Sequence, residues 1–327
     1  MTDSFTWSRP LQAGLAQLLG TLARDCSTLI DDAALLHRLS ELASLLQSER
    51  TVPVEGAAPG LSLDRALLLT ATARNLLGTV ANVGESRPGG ETIAGLSKTL
   101  ELLYLKLAAA LRREQAHRVR GLYVIIDPEV TDGRDPLDIA RGAGQGGAKM
   151  LQLRDKLRDK GASLPLALSL QQLCQERDVL LIINDHVDLA AAVGSGGLHV
   201  GQTDLPVAQA RQVLAPHQVL GRSNREFEQL VESQEMGADH VAFGPIYQSG
   251  TKSTGREPQG PQRLRQARDL AKVPLVAIGG INAENVAPVV EAGADAICVT
   301  AAVGAAPDPE AAASRLVEAI RDAGGKV

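Results

Sequence analysis

Two carboxylates arrive at the ends of neighbouring apolar runs. In "LLIINDHVDLA" (180–190) the aliphatic residues stop on Asn184 and Asp185, and the next short run, "GLHVGQTD" (197–204), ends at Asp204. A third run, "KMLQLRDK" (149–156), alternates Leu151 and Leu153 with Gln152, Arg154 and Lys156. Successive side chains of a strand point to opposite faces, so the leucines suit a helix layer and the polar set faces the other way. Paired acids suit a hard divalent cation: magnesium takes one or two carboxylates and fills its shell with water and phosphate oxygens. Arg154 and Lys156 on one face ask for an anion to meet them. Either acid alone reads as a helix cap. Together with the two cations, Asp185 and Asp204 read as a magnesium–diphosphate site.

A second group lies further along the chain. The loop "YQSGTKSTGREPQG" (247–260) is long, polar and Gly-rich, and its Ser249, Thr251 and Lys252 offer hydroxyls and a cation to close over an anion. The runs "AIGGINAEN" and "VTAAVGAA" end in small residues, so Gly279 and Gly280 can bring backbone N–H groups close to a phosphate. Tight turn geometry is the competing reason for these glycines. The six histidines show no zinc-ligand spacing. His199 reads as a satisfied core imidazole and His186 as the start of a helix.

The frame that must position these residues begins at Gly121. Eight short strand-like runs alternate with helical segments: "GLYVIID", "KMLQLRD", "LLIIND", "GLHVG", "VLGRS", "HVAFGPIY", "PLVAIGGI" and "AICVTAAV". "GGAK", "GSGG", "GADH" and "GADA" each place a helix-ending Gly before a strand. This is the arithmetic of an α/β fold, a (β/α)8 TIM barrel. A doubly wound sheet is the competitor, but "VIID" is not followed by the G-x-G-x-x-G phosphate loop. In a barrel every strand points its C-terminal end at one face, so the two acids meet at the mouth. Two anion positions follow, a metal-assisted diphosphate pocket on strands 2 to 4 and a monophosphate cradle on strands 7 and 8.

Residues 1–118 have a different grammar. Leu11, Leu15, Leu18, Leu19 and Leu22 recur at helical spacing, as do Leu35, Leu36, Leu39, Leu42, Leu45 and Leu46 behind the capping candidates Asp31 and Asp32. Breaks at "TVPVEGAAPG" and "ESRPGGET" separate two further helices, the last from about Ile93 to His117. The spacing predicts a four-helix bundle serving packing or homo-oligomerisation, and a barrel domain over 119–327. Hydrophobic residues make up 44% of the 327 but aromatics only 2%, so aliphatic side chains must fill both cores. A net charge of -5 argues against a nucleic-acid surface working by bulk electrostatics. Three scattered cysteines fit a reducing compartment. With no visible leader and no apolar run of roughly 18 residues, the expectation is a cytoplasmic protein.

With these residues assembled, 121–322 resembles the thiamine phosphate synthase family. "LYVIID", "LQLRDK", "LIINDHVDLA", "GLHVGQTDLP", "LGRS", "VAFGPIYQSGTK", "VAIGGI" and "GADAICV" carry the likeness by their order and spacing. The resemblance implies a transferase that joins hydroxymethylpyrimidine diphosphate to a thiazole phosphate and releases pyrophosphate. It implies that Gln152, Arg154, Lys156, Asn184 and Lys252 hold the diphosphate and pyrimidine, and that Asp185 and Asp204 bind Mg2+. Ser223 falls beside the bond being broken, while Ser249, Thr251 and Gly280 meet phosphate or thiazole. Relatives commonly carry a Ser or Thr and then a His where this chain has Asn224 and Arg225, and often a Ser where it has Ala301. A thiazole tautomerase would need an imidazole after strand 5, which Asn224 and Arg225 do not supply; a ligand-retaining protein without turnover is the other rival. The helical region faintly resembles a fused hydroxymethylpyrimidine phosphate kinase domain through "LIDDAALLHRLSEL", with the polar groups for nucleotide chemistry largely gone.

Overall fold

The computed structural model describes residues 9–46, 61–81, 90–131, 133–248 and 257–327. Helices α1 (Arg9–Asp25), α2 (Ala33–Leu46), α3 (Leu63–Ala81) and α4 (Gly90–Ala116) form the helical region. Their leucines, spaced by three and four, line one stripe of each helix. Leu15, Leu19 and Leu22 of α1, Leu39 of α2, Leu77 of α3 and Leu100 of α4 thereby share a single core. Asp32 caps α2 by accepting the Leu35 N–H at 2.9 Å. The expected break at 51–60 lies outside the described residues. The chain divides into two compact units, Met1–Leu111 and Arg112–Val327, so the last turn of α4 belongs to the second. There Ala116 and Val119 pack with the barrel interior, and Arg112 pairs with Asp239 at 3.3 Å. The boundary therefore lies inside α4, earlier than the 118/119 division read from the change in sequence pattern.

Strands β1 (Gly121–Ile126), β2 (Met150–Leu153), β3 (Leu180–Asn184), β4 (Gly197–Val200), β5 (Val219–Asn224), β6 (His240–Phe243), β7 (Leu275–Ile278) and β8 (Ala296–Val299) close into a barrel in sequence order. All the pairings are parallel. Helices α5 (Pro136–Gln145), α6 (Lys160–Glu176), α7 (Val187–Val193), α8 (Val207–Val213), α9 (Phe227–Glu235), α10 (Gly260–Leu270), α11 (Ala287–Glu291), α12 (Ala301–Gly304) and α13 (Pro309–Asp322) complete the unit. The glycines expected before strands, Gly147, Gly194, Gly237 and Gly293, all have positive φ.

Alternation divides each strand between two cores. Leu151, Leu153, Leu181 and Ile183 belong to the cluster shared with the helices. Tyr123, Met150, Leu180, Ile182, Val219 and Cys298 belong to the barrel interior. The interior also takes polar groups: Gln152, His199 and His240 are buried, and the Gln152 amide donates to the Tyr123 hydroxyl at 2.5 Å. Burial raises the thiol pKa of Cys26 to about 11 and of Cys174 to about 12. All three cysteines are free and buried. Among the described residues no helix is long and apolar enough to cross a membrane.

Candidate active site

The acids do converge. β3 ends at Asn184, and Asp185 leaves it with φ 60°, one of two non-glycine residues with positive φ among those described. Its N–H donates to the His199 carbonyl oxygen at 2.8 Å, which holds the turn against β4. A left-handed non-glycine residue costs roughly 1–2 kcal/mol. Asp204 folds back onto its own turn and accepts the Gly201 N–H at 2.7 Å. Neither acid caps a helix: the N-cap of α7 is His186 and that of α8 is Pro206. Burial pushes the Asp204 carboxyl above the usual carboxylate range, and the adjacent Asp185 adds to the push against the Gly201 N–H and Lys156. Two carboxyl groups are thus held side by side, with Lys156 against one of them. Among the described residues no group of three or more His, Cys, Asp or Glu is set to hold a metal; the acids come as a pair. That donor set fits magnesium, which needs few carboxylates and keeps water and substrate oxygens.

Arg154 and Lys156 follow the end of β2 at Leu153, and each already meets an acid. Lys156 pairs with Asp185. Arg154 pairs with the buried Asp127 and lies 3.7 Å from Glu129. The anion that these cations seemed to require is therefore supplied in part by the protein. Sequence reasoning misses Asp127, although "VIID" ends β1 as "IIND" ends β3. Its carboxylate also accepts the Glu129 N–H at 3.1 Å and so starts a 3-10 turn over Pro128–Val130. Asp155, between the two cations, faces the other way and accepts from Ser163 at 2.6 Å and Arg158 at 2.7 Å, anchoring the loop after β2.

A cavity of about 740 Å³ opens at the same end of the barrel. Arg154, Asp127, Ser223, Tyr247, Gly280 and Thr300 are among its lining residues, so Arg154, Ser223 and Gly280 are brought together. Asp185, Asp204 and Lys156 form a separate cluster that does not line it. Asn184 stands half-buried at the end of β3, and Gln152 lies deeper, against Tyr123. Ser249, Thr251 and Lys252 fall outside the described residues. Gly280 has φ 63°, and a Cβ there would come within 2.5 Å of the Gln248 oxygen and 2.9 Å of Tyr247 Cβ. Both readings of this glycine therefore apply, since it lines the cavity and also admits the chain after β6. Asn285 fixes the turn by donating to the Gly280 oxygen at 2.9 Å, while the Tyr247 hydroxyl donates to the Asn285 oxygen at 3.0 Å.

Ser223 is held from below. Its hydroxyl lies 2.8 Å from His199 Nε2, and its carbonyl accepts from Gln202 at 2.6 Å. His199 is a half-satisfied imidazole, correcting the satisfied one expected, because its Nδ1 has no partner. Asn224 is buried and structural, donating to the Arg222 oxygen at 2.9 Å and accepting from Ser233 at 2.6 Å. Its amide is therefore committed to the protein, although the residue also lines the cavity.

A closed parallel barrel, with paired acids and cations gathered at the C-terminal ends of its strands, defines an enzyme acting on small molecules. The family model described as thiamine monophosphate synthase matches residues 122–303. The thiamine-phosphate synthase of Shouchella clausii is 40% identical over 202 residues, covering 62% of this chain and 97% of that protein. That of Moorella thermoacetica is 40% identical over 205 residues, covering 63% and 98%. The solved thiamine phosphate pyrophosphorylase of Pyrococcus furiosus superposes with a TM-score of 0.58 at 31% identity, covering 64% of this chain and 98% of that one. The chain belongs to the thiamine monophosphate synthase family, and it is a transferase performing the condensation step of thiamine biosynthesis. The family match begins at Leu122, after the helical region.

Proposed function

We propose that the barrel mouth binds hydroxymethylpyrimidine diphosphate at the β2–β4 side and a thiazole phosphate at the β7–β8 side, with Asp185 and Asp204 holding Mg2+. The observation that carries this reading is the acid pair itself. Two carboxylates from adjoining strands are kept together, one with a raised proton affinity and one in a strained backbone conformation. A divalent cation offsets the crowding of the two carboxylates, and the left-handed turn is what sets Asp185 there.

Magnesium, when bound, supplies charge neutralisation to the diphosphate oxygens. Arg154 and Lys156 turn from Asp127 and Asp185 towards the diphosphate, joined by Lys252, and stabilise the charge growing on the departing pyrophosphate. Gln152 and Asn184 orient the pyrimidine from β2 and β3, and Ser223 sets a hydroxyl beside the breaking bond. The carbon–oxygen bond at the pyrimidine methylene breaks, and the thiazole nitrogen supplies the electron pair of the new carbon–nitrogen bond. No side chain acts as nucleophile; the protein contributes positioning and leaving-group stabilisation. Gly280, Ser249 and Thr251 meet the thiazole phosphate. The helical region serves as a packing or oligomerisation module, supported by its continuous leucine core, and the protein works in the cytoplasm.

Pyrophosphate release from the two substrates, measured on the full chain with and without magnesium, tests this. Release that persists undiminished in excess chelator would overturn the metal assignment. Release from Asp185→Ala at the normal rate would overturn the placement of the site.

A further inference from the structure

Beneath Ser223 the barrel interior holds two imidazoles on neighbouring inward positions. His199 on β4 and His240 on β6 have ring centroids 5.7 Å apart, tilted by 33°. Between them runs β5, and the residue there is Gly221, paired in register with both. A Cβ on Gly221 would overlap His240 Nε2 and sit 2.6 Å from His199 Nδ1. Both nitrogens therefore border the place of the missing methyl group. Three of the four ring nitrogens, His199 Nδ1 and both of His240, are buried without a partner. Leaving a buried polar atom unpaired costs about 1–3 kcal/mol, and an apolar pair would fill the same space without it.

We infer that His199 and His240 form a two-imidazole positioning relay that presents the Ser223 hydroxyl as a hydrogen-bond donor to the breaking bond. Both rings are buried, and burial favours the neutral form. A neutral ring has one N–H and one lone pair, so fixing either end fixes the other. His240 Nε2–H, reaching His199 Nδ1 through one bridging water, makes that nitrogen the acceptor. His199 Nε2–H then donates to Ser223 Oγ, and the hydroxyl proton is left for the oxygen on which negative charge develops. With the opposite tautomer, Ser223 would donate its proton inward and offer the departing oxygen only lone pairs. This inference rests on the reading that Ser223 faces the bond being broken.

The test uses the full chain and steady-state pyrophosphate release. His240→Phe keeps the ring volume and removes the nitrogens; it is expected to lower kcat about tenfold, the worth of one hydrogen bond, with KM for both substrates unchanged. His199→Gln supplies an amide N–H at the Nε2 position whatever its neighbour does. In that background His240→Phe is expected to have no further effect, whereas His199→Leu loses at least as much as His240→Phe alone. Unchanged kcat in His240→Phe, or multiplicative losses in the double variant, would overturn the relay. Nitrogen-15 NMR of the unsubstituted protein checks it without any variant: His199 must carry its proton on Nε2, and a proton on Nδ1 refutes the proposal. Ser223→Ala separates the two readings. If its kcat is normal, the placement of Ser223 fails, while the NMR result still decides the tautomer.

Discussion

The Asp185 N–H donates to the His199 carbonyl oxygen at 2.8 Å, and this bond holds an aspartate in the left-handed region at φ 60°. Glycine accepts that conformation without strain and alanine does not. Asp185→Gly and Asp185→Ala both remove the carboxylate and are expected to lose turnover by at least about 100-fold, the scale of removing an electrostatic stabiliser. The Gly variant is expected to be more stable than the Ala variant by about 1 kcal/mol. Urea midpoints, read beside pyrophosphate release, check both halves. Equal stabilities would show that the turn carries no strain.

Asp204 gives a prediction about metal and pH. Its carboxyl is raised in the folded state, so its contribution to stability is full below the ordinary value of 3.8 and is lost as pH rises through the higher folded value. Above that folded value the ionised carboxylate is a burden, which the proposed Mg2+ would relieve. Asp204→Asn is therefore expected to melt higher than the wild type at pH 7 in chelator, with the difference vanishing near pH 3. Added magnesium is expected to raise the melting temperature of the wild type and not that of Asp204→Asn. Differential scanning fluorimetry across pH, with and without magnesium, reads each outcome.

The buried imidazoles act in the opposite direction. Their folded values, about 4 for His199 and about 3 for His240, lie below the 6.5 of an unperturbed ring. Above pH 6.5 both states are neutral and stability is unaffected. As pH falls from 6.5 towards 4 and then 3, the unfolded chain binds protons that the folded chain refuses, and stability declines. His240→Phe removes one such group. The loss of stability between pH 7 and pH 5 is expected to shrink by on the order of 2 kcal/mol in that variant. Denaturant titrations at the two pH values measure it.

Arg154 and Asp127 form an ion pair in which the Asp127 side chain is only 3% exposed and that of Arg154 16%. Removing one partner strands the other: Arg154→Ala is expected to destabilise the fold by about 3 kcal/mol and to lower kcat. Arg154→Ala combined with Asp127→Ala is expected to recover much of the stability and none of the activity. If the double variant is as unstable as the single one, the stability loss lies in packing and not in the stranded charge.

How far the sequence disclosed this site follows from what a single strand can reveal. Alternation along "KMLQLRDK" sorts Leu151 and Leu153 from Gln152, Arg154 and Lys156 because the period of two is local. The shared end of β3 and β4 brings Asp185 and Asp204 together because barrel topology leaves them nowhere else to point. Pairings across strands are not local. Asp127 meets Arg154 only through the β1–β2 register, and His199 faces His240 only because β5 places Gly221 between them. The first two residues of "HVAF" could have flagged His240 as inward-facing, but not what it faces. The end of the helical region shifts for the same reason. Arg112 reads as an ordinary helix residue until Asp239, far along the chain, claims it.

The β8 turn is one of the places where this sequence parts from the resemblance, and it offers the last test. Ala301 stands where the resembling sequences often carry Ser, and it lines the cavity beside Thr300 and Gly280. α12 begins at Ala301, so a serine here would add one hydroxyl at the β7–β8 side, where the thiazole phosphate is proposed to bind. One added hydrogen bond is worth about 1 kcal/mol in a site of this kind, close to tenfold in affinity. Ala301→Ser is expected to lower KM for the thiazole phosphate by up to about tenfold and to leave kcat and the KM for the pyrimidine diphosphate unchanged. Thr300 is half-buried and its side chain caps no helix, which leaves its hydroxyl available for the same anion. Thr300→Val is then expected to raise that KM in the wild type and to matter less in the Ala301→Ser background. Steady-state kinetics of the two single variants and the double variant measure both effects, and an unchanged thiazole phosphate KM in Ala301→Ser would move the phosphate away from the β8 turn.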